Sequence, residues 1–338
     1  MHFFAYEWAT GGGLVEQPGP LPASLVREGM AMIGAVVADL VRIEGCRITA
    51  LRDPRVLQLA LPGCEVVDVL SNYAHVEEIE RLASAADATI LIAPEFDGIL
   101  LKTANLAATS GGRLLSPSPK FIRIAANKQS TADMLAAAGV PTPRGMVLES
   151  EEPLPDNFAY PAVLKPLHGA GSQDNYMVSG PYDAAPAYAW PRRLESYVPG
   201  LPVSVALLCG PAGRLALMPC KQRISEDGRL RYLGGELPLA GGLAERATAL
   251  AERALNALPA ATGYIGVDLV LGRDPHGGED SVIEVNPRFT TSYVGLRAAA
   301  QTNLAEVMWH IAQGETRSVE FSHRAIEFDA AGNVSFLR

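Results

Sequence analysis

Within "SVIEVNPRFT", residues 281 to 290, a carboxylate and an amide are set into an apolar run: Glu284 and Asn286 interrupt Val282, Ile283 and Val285. Side chains two apart in a strand share a face, so Glu284 and Asn286 are predicted to project together, with Ile283 and Val285 on the opposite side. Upstream, "YIGVDLVL" places Asp268 in an equally apolar strand. The turn-rich "GRDPHGGED" between them reads as a hairpin connection that makes Asp268 and Glu284 cross-strand neighbours. Two carboxylates about 4 Å apart repel by ~4 kcal/mol at an effective dielectric of about 20, and burial adds desolvation. A cation removes the conflict. Two acids and an amide, with no His or Cys beside them, are hard oxygen donors suited to magnesium, which completes its octahedron with waters and nucleotide phosphates. The alternative is a structural salt bridge from Asp268 to Arg288 or Arg273.

Anion-binding chemistry is offered elsewhere. Lys165 ends the apolar strand "PAVLK" just before "PLHGAGSQ", where Gly169, Gly171 and Ser172 permit a tight loop whose backbone N–H groups face the same anion as the lysine. Lys128 in "NKQST" begins a helix-like segment. Either lysine alone passes as a solvated surface group; the pair gains weight from the acids downstream. Thr290, Thr291 and Ser292 open a predicted helix, a position that suits an anion or an N-cap.

These groups need elements to hold them. Residues 1 to about 115 alternate strand-like runs ("HFFAY", "RITAL", "EVVDV", "ATILIAP") with helix-like ones ("PASLVREGMAMIGAVVADLVR", "HVEEIERLASA", "GILLKTANLAA"), predicting a doubly wound parallel sheet. Glu7, ahead of "WATGGG", and Glu95, in "IAPEFDG", follow strands at the carboxyl edge where such sheets bind ligands. Both are candidate substrate contacts, with solvated turn acids as the alternative. "SPKFIRIAANKQSTADMLAAAG" reads as a helical bridge ended by "VPTP". Short elements follow to about residue 199, and then a strand-rich stretch containing "PVSVALLCG", "RLALMPCKQRI" and "RLRYLGG", with the helix "LAERATALAERALNAL" before the acid-bearing hairpin.

Bulk composition closes off other classes. The 338 residues carry 28 Lys and Arg against 37 Asp and Glu, a net charge of −9, which opposes a phosphate-tracking nucleic-acid surface. Cys46, Cys64, Cys209 and Cys220 make no C-x-x-C pair, as expected of reduced thiols. No signal-like start or membrane-length apolar run is present, so no membrane is expected and the predicted address is the cytoplasm. The chain has neither a G-x-G-x-x-G after its first strand nor a G-x-x-x-x-G-K-[ST], which weakens a nicotinamide dehydrogenase and a P-loop NTPase.

The succession "NKQSTADMLAAAGVPTP", "YPAVLKPLHGAGS", "LESYVPGLPVSV", "YIGVDLVL" and "VIEVNPR" resembles ATP-grasp carboxylate–amine ligases over roughly residues 115 to 310. The resemblance implies an α/β ATP-grasp fold: an N-terminal Rossmann-like domain (1–115), a helical linker with a small lid domain (116–199) and a C-terminal α+β domain with the metal site (200–338). It implies that Lys128 and Lys165 contact ATP phosphates, that Glu195, Ser196, Tyr197 and Val198 line the adenine pocket, and that Asp268, Glu284 and Asn286 hold Mg²⁺, for which Mn²⁺ substitutes. It further implies amide formation through an acyl phosphate, with Lys165, Arg223 and Arg288 neutralising phosphoryl or carboxylate charge; structural ion pairs are the alternative for both arginines. "FAYEWATGGG", "IAPEFDG", "KQRI" with "YLGGELP", and "NPRFTTSYVGL" narrow the likeness to ligases that join L-glutamate to tyramine in methanofuran-type cofactor synthesis. D-alanine:D-alanine ligases and other small peptide ligases share many of the same groups, and a non-catalytic nucleotide sensor is the alternative from another class. Pro202 stands where many relatives carry an acid for the ribose, a departure that touches ribose recognition. The partners implied are a small-molecule acid and amine, and the composition is compatible with a homodimer.

Overall fold

Alternation along the first strand decides what covers it. The structure, a computed structural model, describes residues 1–169, 171, 174–183, 186, 188–322 and 324–337. In β1 (His2–Glu7), Phe3 and Ala5 face one side while Phe4 and Tyr6 face the other, and all four are buried. The first side packs on α1 (Ala23–Leu40). β2 (Arg47–Arg52), β3 (Glu65–Asp68), α2 (Asn72–Ala85), β4 (Ala88–Ile92) and α3 (Ile99–Thr109) follow, with α2 and α3 covering the second side. The strands pair in parallel in the order β3-β2-β1-β4, so the sheet is doubly wound as expected. β1 and β4 end side by side, Glu7 opposite Ile92, which delivers Glu7 and the segment after β4 to one edge.

The helical bridge to the second half forms two helices, α4 (Pro119–Ala125) and α5 (Lys128–Ala137), broken at Asn127, whose Oδ1 accepts from the Ser130 N–H at 2.9 Å. An Asn side chain that competes for backbone donors caps a new helix rather than continuing the old one. Lys128 is thereby the first residue of α5.

A small antiparallel sheet comes next: β5 (Gly145–Leu148), β6 (Ala162–Pro166), β7 (Tyr176–Val178) and β8 (Arg192–Ser196), ordered β5-β8-β6-β7. The remaining strands are β9 (Leu201–Gly210), β10 (Gly213–Ala216), β11 (Cys220–Ile224), β12 (Tyr232–Leu237), β13 (Gly263–Leu271), β14 (Ser281–Asn286), β15 (Ile326–Asp329) and β16 (Val334–Phe336). They form one antiparallel sheet, β14-β13-β9-β11-β12-β15-β16, with β10 on β9. "RLALMPCKQRI" is thus two strands, parted at Pro219, because proline cannot donate to a ladder. Helix α6 (Gly241–Asn256) covers one face of this sheet; α7 (Ser292–Ala299) and α8 (Leu304–Ala312) cover the other and meet α1.

Asp39 of α1 locks that meeting. Its carboxylate accepts from Tyr293 Oη at 2.8 Å and Arg297 Nε at 2.7 Å, and its carbonyl accepts from Asn303 Nδ2 at 2.9 Å. Under the large sheet Tyr264, Phe289 and Tyr293 pack ring to ring, with Tyr264 stacked on Phe289 at 4.7 Å. Aromatic pairs of this kind add about 0.5–1.5 kcal/mol beyond their buried area. The first sheet is therefore held firmly against the strands that carry the acids. Among the described residues no helix is long and apolar enough to cross a membrane, and all four cysteines are free.

Candidate active site

The hairpin β13–β14 sets Asp268 directly opposite Glu284. Between Asp268 and Leu269 the register slips, so that Leu269 pairs with Val282 and Ile283 is left as the extra residue of a bulge. This corrects the expected alternation: Ile283 lines the same cavity as Glu284, while Val285 stays in the core beneath. A bulge turns two successive side chains toward one side, which simple period-two counting cannot anticipate.

Asp268 is held by neutral donors. Asn286 Nδ2 donates to its Oδ2 and Gln222 Nε2 to its Oδ1, each at 2.9 Å. Burial, then the Glu284 charge, pushes its carboxyl up to about 6. Neither Arg288 nor Arg273 forms the salt bridge to it that the alternative reading required. Glu284 differs: burial pushes its carboxyl up, but Lys128 and Lys165 outweigh that and hold it below the usual carboxylate range. Lys128 Nζ stands 3.0 Å from Glu284 Oε1 and donates to the Gly169 carbonyl at 3.2 Å. It is buried behind the acids rather than lining the main cavity.

Lys165 on β6 sits opposite Arg193 on β8, and Glu195, two residues along, points the same way and balances both. Lys165 Nζ lies 2.6 Å from Glu195 Oε1, and Arg193 Nε donates to Glu195 Oε2 at 2.9 Å, all three side chains being buried. Glu195 therefore faces the cavity with its charge already neutralised. Ser196, Tyr197 and Val198 also line it, as do Pro202, Leu269 and Val270. Gly171 reaches the same wall with a φ of +65°, a left-handed conformation that glycine adopts without strain. Ser172 lies outside the described residues. Gly169 faces away from this cavity.

At the other end Arg288 Nε donates to Glu95 Oε1 at 2.9 Å, and its Nη1 donates to the Phe289 carbonyl. Arg223 pairs with Glu327. Both arginines also line the cavity, so ion pairing and ligand contact are not exclusive here. Thr290, Thr291 and Ser292 line it too; Thr290 Oγ1 shares a hydrogen bond with Tyr264 Oη at 3.0 Å, while Thr291, at the N-cap of α7, makes no side-chain cap bond. Glu7 is buried and turned inward, its carboxylate accepting from the Ala9 and Thr10 N–H groups and the Thr10 hydroxyl. Burial outweighs those bonds and raises it to about 7.

The main cavity, about 850 Å³, thus brings together Glu7, Lys165, Gly171, Glu195 to Val198, Arg223, Asp268, Glu284, Asn286, Arg288 and Thr290 to Ser292; Lys128 and Glu95 stand directly behind its wall. Sequence reasoning missed Gln222, Ile283 and Glu28. Glu28 was findable: Leu25, Glu28, Gly29 and Met32, at i, i+3, i+4 and i+7 of α1, form the helix face that lines the cavity, an acid on an otherwise small or apolar stripe.

The donor set fits a hard divalent cation. Asp268 and Glu284 oppose each other across the hairpin, and Asn286 offers an amide oxygen on rotation of its side chain. Among the described residues no group of three or more His, Cys, Asp or Glu side chains could hold a metal alone, so a cation here draws further oxygens from a ligand or water.

The ATP-grasp domain family matches residues 125–292, and the pre-ATP-grasp domain family matches residues 46–122. The tyramine–L-glutamate ligase of Methanocaldococcus jannaschii is 22% identical over 312 residues, covering 92% of this chain and 89% of its own. That of Methanocaldococcus fervens is 24% identical, covering 82% and 78%. Among solved structures, an ADP complex of N5-carboxyaminoimidazole ribonucleotide synthetase superposes with a TM-score of 0.73 at 18% identity, covering 96% of this chain and 80% of its own. An L-amino acid ligase from Bacillus licheniformis does so at 0.71 and 16%, covering 96% and 78%. At these identities the structural likenesses speak for the fold.

Proposed function

Because this chain belongs to the ATP-grasp ligases, enzymes of ATP-dependent C–N bond formation, we propose that it joins an amino-acid carboxylate to a primary amine, with L-glutamate and tyramine as the pair. The observation that carries the reading is the main cavity, which sets a buried lysine (Lys165), opposed carboxylates (Asp268 and Glu284) and two arginines (Arg223 and Arg288) around a single space. The names of the two Methanocaldococcus relatives supply the substrates.

In this reading the adenine lies against Ser196, Tyr197 and Val198, and the phosphates run toward Lys165 and the Gly171 backbone. Asp268, Glu284 and Asn286 would hold Mg²⁺, which when bound supplies charge neutralisation for the phosphates. Lys128 keeps Glu284 ionised and aimed, a positioning role. Arg288, fixed by Glu95, presents its free edge to the substrate carboxylate. The carboxylate oxygen takes the terminal phosphoryl group, and the amine then displaces phosphate to leave the amide. Negative charge gathers on the transferring oxygens, so fixed cations around the cavity contribute most of the rate.

The test is a phosphate-release screen with ATP and Mg²⁺, crossing amino acids with amines. Turnover with glutamate and tyramine is expected. Turnover with D-alanine alone would move the assignment to another ligase, and nucleotide binding without turnover on any pair would remove it.

A further inference from the structure

Behind the Glu95–Arg288 pair lies a second cavity, of about 520 Å³, bounded by the segment after β4, by α4 and by loops of the small sheet. The chemistry assigned to the main cavity leaves it unused. Among the described residues its lining carries three carboxylates, Glu95, Asp97 and Asp174, against one guanidinium, Arg123, with Glu95 also paired to Arg288 from the other side. His168 also faces it, and burial, helped by Lys128, lowers the imidazole's affinity for a proton, so it adds no charge at neutral pH. The aromatic surface comes from Phe96 and Trp190. Phe96 is braced edge-on by Trp8 at 5.8 Å and borders both cavities, while Trp190 is 51% exposed.

Glu95 forms the wall between the two. It is 3% exposed; Oε1 takes the Arg288 bond, and Oε2 is buried with no hydrogen-bond partner among the described residues. A buried carboxylate oxygen left without a donor is costly, and a ligand N–H⁺ would satisfy it. Net negative charge beside exposed aromatic faces is the combination that recognises an organic ammonium.

We propose that this second cavity binds the amine substrate as its ammonium, with the aryl body against Phe96 and Trp190 and the nitrogen drawn to Glu95. The proposal rests on the ligase reading above. Phe96 lines both cavities, so an amine whose aryl body lies against that ring reaches the acyl carbon beside Arg288 past the Phe96 edge, with Glu95 at its flank. The ammonium gives one proton to Glu95 Oε2; the nitrogen lone pair forms the C–N bond; the C–O bond to phosphate breaks with its electrons on the phosphate; and the second nitrogen proton leaves with it.

The experiment titrates tyramine into the whole enzyme by calorimetry, with 4-hydroxyphenylacetate as an anionic control of the same shape. Asp174→Asn and Trp190→Ala are titrated beside wild type, and ADP binding to each variant confirms that it is folded. Tyramine but not the anion should bind, and each substitution should weaken it about tenfold. Absence of tyramine binding to wild type, or equal affinity in both folded variants, overturns the site. Hydroxylamine trapping of an acyl phosphate from glutamate and ATP, run on wild type alone, keeps the two readings separate. Trapping without tyramine binding overturns this site and leaves the ligase reading, whereas binding that responds to both substitutions without trapping supports an ammonium site and counts against the ligase.

Discussion

Arg288 and Glu95, 193 positions apart in the chain, meet at 2.9 Å with both side chains almost wholly buried. One follows the last strand of the acid-bearing hairpin and the other the last strand of the parallel sheet. Their pair fixes where an arginine meets the main cavity. Burial works against the guanidinium's charge, but Glu95 outweighs it and raises its affinity for the proton.

Glu95→Ala leaves that guanidinium buried without its partner, and breaking a buried pair costs about 3–5 kcal/mol. Urea denaturation should show the loss, and Glu95→Ala/Arg288→Ala together should cost less than the two singles summed. Additive losses would mean that the two side chains do not interact.

Lys165→Met removes a buried cation from the wall of the main cavity while Arg193 still balances Glu195. The fold is expected to survive, and phosphoryl transfer to fall by about 10²-fold or more. Single-turnover ADP formation measures this; a rate within twofold of wild type would take Lys165 out of the chemistry.

Asp268→Asn tests the cation site. The enhancement of ATP affinity by Mg²⁺, read as the ratio of dissociation constants with the metal and with a chelator, should shrink by at least about tenfold. An unchanged ratio would mean the ion is held elsewhere.

Glu7 carries a pH signature. Its carboxyl rises from an ordinary 4.5 to about 7 on folding, so between those values the folded chain keeps a proton that the unfolded chain releases. Its contribution is complete below pH 4.5 and is lost as pH rises toward 7, on the order of 3 kcal/mol. Glu7→Gln should flatten the stability profile across that window, measured by denaturation at each pH; the wild-type slope persisting in the variant would rule Glu7 out as its source.

Gly29→Ala probes the same carboxylate from the helix side. A Cβ there would sit 2.4 Å from Glu7 Oε2, and Glu7 is pinned by three hydrogen bonds. Overpacking of this kind costs about 1–3 kcal/mol, and a melting temperature equal to wild type would show that Glu7 yields freely.

The sequence by itself determined the local frame: the doubly wound first sheet, the hairpin that opposes Asp268 to Glu284, and the placement of Lys165 at a strand end. Periodicity, turn residues and strand pairing act over a few residues, so they can be read directly from residue order. The break at Asn127 was also written in the sequence, as a capping residue inside an apolar stretch. Only the tertiary structure decided that Ile283 bulges toward the cavity, that Gln222 rather than an arginine holds Asp268, that Lys128 stands behind Glu284, and that Glu95 and Arg223 close on partners from distant elements. Those outcomes depend on which remote surfaces pack together, and a buried charge takes whatever partner that packing brings within reach.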